Sequence, residues 1–184
     1  LTWEVSDRIV SALNDAFYFS FPNHRASGKR VMLALDVSGS MTWSKIAGSP
    51  LTPRDASAAM ALVTQLTEPT CLVTGFCDGI QPLKFFEKSK DVIKTIKEVD
   101  RLPAGGTDCS LPMLYAHDND LSFDAFVVYT DSETWAGRIH PFQALLKYRK
   151  KTGINAKLIV VGMVANKFSI ADPSDPGMLD VVGF

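Results

Sequence analysis

The chain has 184 residues, 46 % of them hydrophobic and 21 % charged, and a formal net charge of -1. That is enough for one domain with a full core and is typical of a soluble globular protein. The near-zero charge excludes a strongly basic nucleic-acid surface over the whole domain, and no apolar run reaches bilayer-spanning length, so no membrane partner is expected.

Leu1 is not an initiator methionine and no signal peptide opens the chain, so the sequence reads as a piece of something longer. The cysteines, Cys71, Cys77 and Cys109, are odd in number and sparse, with no CxxC pair. That argues against a disulfide framework or a zinc site and for a reducing, cytoplasmic location. Cys71 and Cys77 lie in or beside an apolar strand and read as buried free thiols.

In chain order, residues 1–28 form a helix and lead-in ahead of a domain at 29–184. Ser6 can cap a helix whose apolar residues Ile9, Ala12, Leu13, Ala16 and Phe17 recur at helical spacing. The aromatic run 17–21 is either its end or extended chain, and so apolar a stretch must cover the domain or join it to a neighbour. Residues 31–35 (VMLAL) are an apolar strand, followed by a long loop, 36–52, of the kind that is functional or disordered. Thr52, Pro53 and Asp55 supply an N-cap, a first-turn proline and a capping acid, and Ala59, Leu62, Val63 and Leu66 continue the apolar face.

Residues 71–76 read as a second strand and 80–85 as a weaker third. Asp78-Gly79 between them signals a hairpin, so the third strand runs antiparallel at an edge. Residues 89–99 form an amphipathic helix with Val92, Ile93, Ile96 and Val99 inward. A loop at 103–108 (PAGGTD) precedes a helix from about Leu111 to Asn119. A buried strand at 125–129 ends in Thr130, Asp131, Ser132 and Glu133. A helix at 141–151 stops at Gly153, a strand follows at 157–164, and 168–171 is a short edge strand. No closing helix is visible in the tail, which is rich in Pro, Gly and Asp. Unalternated apolar strands interleaved with helices specify an α/β fold with a mostly parallel sheet covered on both faces.

The chemistry sits at strand ends, where such sheets bind ligands. Asp36 ends the first strand, and Ser38 and Ser40 follow at alternate positions. Asp131 ends the 125–129 strand, and if the two strands are neighbours their carboxylates converge and repel unless a positive charge lies between them. Thr107, after two glycines, brings a further oxygen on a loop free to approach closely. Alone, Asp-x-Ser-x-Ser often forms only a turn or a cap; the combination Asp36, Ser38, Ser40, Thr107 and Asp131 is far more specific. All-oxygen ligation suits Mg²⁺, or Mn²⁺ and Ca²⁺, and leaves a position open for an acidic group from a protein partner. Trp43 and Trp135 lie on the surrounding loops, as partner contacts or as structural packing. Asp108 and Glu133 neighbour the candidate ligands and serve them as acceptors or simply solvate the loops.

DVSGSM, AGGTD and YTDSE together resemble the von Willebrand factor A domain with its metal-ion-dependent adhesion site. That resemblance implies a Rossmann-like sheet with one antiparallel edge strand. LPAGGTDCSLPM, YTDSETWAG, HPFQALLKYRKKTGINAKLIVVGM, SIADPSDPGMLDVVGF and the lead-in LNDAFYFSFPNHRASGKR narrow it to the Ro autoantigen family. Members of that family are ring-shaped ribonucleoproteins that bind Y RNAs and misfolded non-coding RNA. The helical-repeat ring that holds the RNA is absent from this chain, so no RNA-contacting residue is carried over.

An enzyme is not expected. There is no Walker A motif and no nucleophile elbow, and a phosphotransferase would carry a second Asp where Ser38 stands. His24, His117 and His140 read as surface or structural. The basic cluster Lys147, Arg149, Lys150, Lys151 and Lys157 reads as a solvated helix end suited to the helix dipole, with an auxiliary RNA-phosphate contact as the alternative.

Overall fold

The computed structural model describes residues 6–21, 25–46, 48–131, 137–164 and 170–182. The elements run α1 (Asp7–Phe19), β1 (Arg30–Asp36), α2 (Pro53–Thr67), β2 (Thr70–Phe76), β3 (Ile80–Pro82), α3 (Val92–Asp100), α4 (Leu111–Asp118), β4 (Ala125–Thr130), α5 (Pro141–Thr152), β5 (Lys157–Gly162) and β6 (Met178–Val182). One sheet forms in the order β3-β2-β1-β4-β5-β6. Every pairing is parallel except β2 with β3, the hairpin that Asp78-Gly79 announces. The α/β class, the parallel sheet and the antiparallel edge strand are therefore as the residue pattern and the resemblance imply.

Strand residues alternate between faces, and here both faces are buried. Met32, Ala34, Phe126, Val128, Leu158 and Val160 pack on one side with Met113 and Ala116 of α4 and Ala144, Leu145 and Tyr148 of α5. Val31, Leu33, Leu35, Val73 and Val161 pack on the other with Ala58, Ala61 and Leu62 of α2 and Val99 of α3. Double-sided burial is why β1 reads as an unbroken apolar run.

Helix α2 starts where its capping residues place it. Thr52 accepts from Asp55 N–H at 3.0 Å, and Asp55 Oδ2 accepts from Thr52 N–H at 2.8 Å. Its buried face is Arg54, Ser57, Ala58, Ala61 and Leu62, displaced from the expected one; Leu66 is exposed and Ala59 and Val63 are half-buried. Small residues let the helix lie close to the sheet, so large apolar spacing misjudges the face.

Other expectations also shift. β3 ends at Pro82, because residues Lys84–Lys88 turn into a 3-10 helix that buries Phe86. α3 starts at Val92 with Asp91 as its cap, and its inner face uses Thr95 rather than Ile93, which is 52 % exposed. Of the expected edge strand at 168–171, positions 168 and 169 lie outside the described residues, and Ile170 and Ala171 are in bends. The edge strand on that side is instead β6, where Leu179 pairs with Ile159 and Val181 with Val161. Cys109 is buried, but Cys71 and Cys77 are only half-buried; none of the three is in a disulfide.

α1 forms, and it extends to Phe19 rather than ending in extended chain. Phe17, Tyr18 and Phe21 cluster edge-to-face with centroids 5.1 to 5.3 Å apart. None of its residues is fully buried, and Ile9, Val10, Leu13 and Phe19 are exposed. Among the described residues no helix is long and apolar enough to cross a membrane.

The connection into β4 depends on one buried hydroxyl. Tyr148 Oη accepts from Phe123 N–H at 2.5 Å and lies 3.1 Å from the Leu121 carbonyl oxygen as donor. Tyr148→Phe leaves that buried amide without its acceptor and should cost about 1–3 kcal/mol in urea unfolding. An unchanged denaturation midpoint would show that the hydroxyl does not hold this connection.

Candidate metal centre

β1 lies between β2 and β4, and the strand order changes direction at β1 and β4. The C-terminal ends of both strands therefore open on one edge. The register pairs Leu35 with Tyr129, so Asp36 stands level with Thr130 and one residue short of Asp131.

Asp36 has no exposed surface. Its Oδ1 accepts from Ser38 N–H at 2.8 Å, a side-chain turn that bends the chain upward. Its Oδ2 accepts from Thr130 Oγ1–H at 2.7 Å across the sheet. Ser38 Oγ lies 3.1 Å from Ser40 Oγ, so the two hydroxyls face each other at the start of the 3-10 turn Gly39–Thr42. An open cleft above them is lined by Ser38, Gly39, Ser40, Trp43, Ala104, Gly105, Gly106 and Thr107. Thr107 and Asp131 are 5 % and 6 % exposed.

Burial pushes the Asp36 carboxyl up to about 6, with Asp131 adding to the rise and the bonds from Ser38 and Thr130 opposing it. Asp131 therefore lies near enough for its charge to be felt. Asp36, Ser38, Ser40, Thr107 and Asp131 thus converge on one edge of the sheet. They provide two carboxylates and three hydroxyls, without nitrogen or sulfur, a set that could hold a hard divalent cation and would not favour zinc. Among the described residues no group of three His, Cys, Asp or Glu forms a metal cluster.

The surrounding loops are held tightly. Gly105 passes Asp78 so closely that a β-carbon there would lie 2.5 Å from Asp78 Oδ1. Gly137, at φ +99°, makes a similar approach to the Asp108 carboxylate. Asp108 is 8 % exposed and receives Ser110 N–H at 2.9 Å and Ser110 Oγ at 2.5 Å. Its bonds secure the start of α4, so it is more than a solvated loop residue.

Trp43 is 84 % exposed at the rim of the cleft, with its ring beside Gly39. Trp135 and Glu133 lie outside the described residues, as does His24. His140 caps α5, accepting from Phe142 N–H at 3.4 Å, and His117 pairs with Asp118. The basic cluster is partly consumed by structure. Arg149 pairs with Asp175 and bonds the Ala156 carbonyl, while Lys151 pairs with Asp120. Thr130 was not anticipated as a site residue; its position directly after the apolar run, beside Asp131, was the available signal.

The family model described as "Ro60 vWA domain" matches residues 30–184. The chain is 49 % identical over its whole length to the RNA-binding protein RO60 of Caenorhabditis elegans, covering 28 % of that protein. It is 48 % identical to the Deinococcus radiodurans protein of the same name, again over its whole length, covering 34 %. The crystal structure of Deinococcus radiodurans RO (RSR) protein matches all of this chain with a TM-score of 0.88 at 48 % identity, over 37 % of that chain. Proximal thread matrix protein 1 from the mussel byssus shares the fold over 85 % of this chain and 44 % of its own, with a TM-score of 0.57 at 14 % identity. The chain thus spans about a third of the Ro relatives it matches.

A carboxyl raised by burial makes stability depend on pH in a definite direction. The unfolded group releases its proton near 3.8 and the folded one near 6, so the folded state holds more protons between those values. With chelator present, stability should fall by on the order of 3 kcal/mol from about pH 4 to about pH 6. Asp36→Asn should flatten that segment in denaturant titrations; an equally steep segment in the variant would assign it to other groups.

Proposed function

The chain belongs to the Ro60 von Willebrand factor A domain family, and we propose that it is a metal-dependent binding module of a Ro-type RNA-binding protein. Asp36, Ser38, Ser40, Thr107 and Asp131 hold one divalent cation, Mg²⁺ by preference, with Mn²⁺ or Ca²⁺ as substitutes. The supporting observation is the convergence of two buried carboxylates and three hydroxyls at one strand edge, with charge repulsion between Asp36 and Asp131 that a cation relieves. A cation held by these residues would leave a position toward the cleft for an acidic side chain of a protein partner, and exposed Trp43 would supply apolar contact beside it.

The two curated relatives are named RNA-binding proteins. Those names support RNA binding by the whole protein; small non-coding RNA and Y RNA as its ligands, RNA quality control as its process and an RNA site outside this domain are what the family resemblance implies. The site binds and does not catalyse: its residues offer oxygen ligands and no paired base and nucleophile. Three cysteines without a disulfide between them fit a cytoplasmic protein. An RNA-phosphate contact on α5 has weaker support, since Arg149 and Lys151 are occupied within the chain.

Cation binding to the folded state should raise stability by about 2.7 kcal/mol at a hundredfold excess over Kd. In a thermal melt that is a rise of several degrees on replacing EDTA with Mg²⁺ or Mn²⁺, absent in Asp36→Ala. No shift of the unmutated chain at millimolar metal would overturn the reading. Trp43→Ala should keep the metal shift while losing partner capture in a pull-down; equal capture by both proteins would remove Trp43 from the interface.

A further inference from the structure

Helix α2 carries a charge where an amphipathic helix normally carries an apolar side chain. Arg54 is 4 % exposed, on the same face as Ala58, Ala61 and Leu62. Its Nη2 donates to the Val99 carbonyl at 2.9 Å and the Leu102 carbonyl at 2.8 Å. These carbonyls lie at the C-terminal end of α3, where the helix dipole favours a positive charge. Nε has no hydrogen-bond partner among the described residues. Burial accordingly pulls the guanidinium below its usual range. Besides the two carbonyls, the charges of Asp100, Asp36 and Asp55 act on the guanidinium; for a helix contact alone this is costly, since an apolar side chain of similar volume usually does as well.

What those bonds hold is the stem of the candidate site. Leu102 immediately precedes the loop 103–107, which ends in Thr107. Its side chain also lies against β2 at Gly75. The far end of the loop is fixed by Asp108 N–H, which donates to the Cys77 carbonyl at 2.9 Å. Gly105 passes between these ends with no room beside Asp78. Arg54 is the anchor at the entry to this loop, and it comes from the helix that begins directly after the Ser38–Ser40 loop.

We propose that Arg54 is a positioning residue for the cation site, acting through loop 103–107 to set where the Thr107 hydroxyl stands relative to Ser38 and Ser40. The proposal rests on the metal reading of that site. It makes Arg54 the physical link between the two hydroxyl-bearing loops, through α2 and the end of α3.

The test is a double-mutant cycle on Mn²⁺ affinity, measured by titration calorimetry on the unmutated chain, Arg54→Met, Thr107→Ala and the double variant. Outer residues that orient ligands typically account for about 10–100-fold in metal affinity. Each single variant should therefore weaken Mn²⁺ binding by about tenfold or more. The double variant should bind no more than about twofold weaker than the poorer single, because both changes remove the same ligand. A purely structural Arg54 gives a different pattern: a lower melting temperature in EDTA with unchanged Mn²⁺ affinity, or losses that multiply in the double variant. Either result overturns the proposal. Arg54→Lys, which keeps the charge but offers a single nitrogen, replaces Arg54→Met in the same cycle if the methionine variant does not fold. Mn²⁺ binding by the unmutated chain with an unmoved Arg54 variant rejects this inference alone. No binding by the unmutated chain rejects the metal reading and this inference with it.

Discussion

The placement of one carboxylate constrains the rest of the molecule. Asp36 ends the strand that lies between β2 and β4 and has no exposed surface. A charge there is expensive unless it is bonded or balanced. Two donors meet it, one from its own loop at Ser38 and one from Thr130 across the sheet. The first is local to the loop; the second depends on the register of β1 with β4, because a one-residue slip would point Thr130 to the opposite face. The parallel pairing of the central strands thus supplies one of the two bonds that make the carboxylate tolerable.

The same geometry brings unrelated loops together. Parallel strands end on one edge, so the loops after β1 and β4 rise side by side, and the loop before α4 reaches them by running past the end of β2. Gly105 passes against the Asp78 carboxylate and Gly137 against the Asp108 carboxylate, where a β-carbon would displace those side chains. Three of the five converging oxygen-bearing residues are neutral, which limits the repulsion to one carboxylate pair.

Much of this was legible because local signals and global fold agree. β1, β4 and β5 are buried on both faces, so each shows as a plain apolar run. The capping pair Thr52 and Asp55 marks the start of α2, and Asp78-Gly79 marks the antiparallel edge. The unclear parts were those without a local signal. β6 is a short exposed edge that follows a Pro- and Gly-rich tail, so its Leu179 and Val181 gave no burial pattern to recognise. The inner face of α2 is made by alanines and Arg54, which apolar spacing passes over. His140 caps a helix, a role more typical of Ser or Asp.

The sequence by itself determined the fold class, the family resemblance and the five oxygen-bearing residues, because each of these depends on residue types at fixed spacing along the chain. Only the tertiary structure decided which partners those residues meet. It paired Asp36 with Thr130, left Trp43 at the rim, moved Asp108 into the start of α4 and set Arg54 beneath the loop that carries Thr107. These contacts join positions as far as 94 residues apart. They follow from strand order and register, which arise when both faces of the sheet are buried together and which no stretch of sequence contains alone.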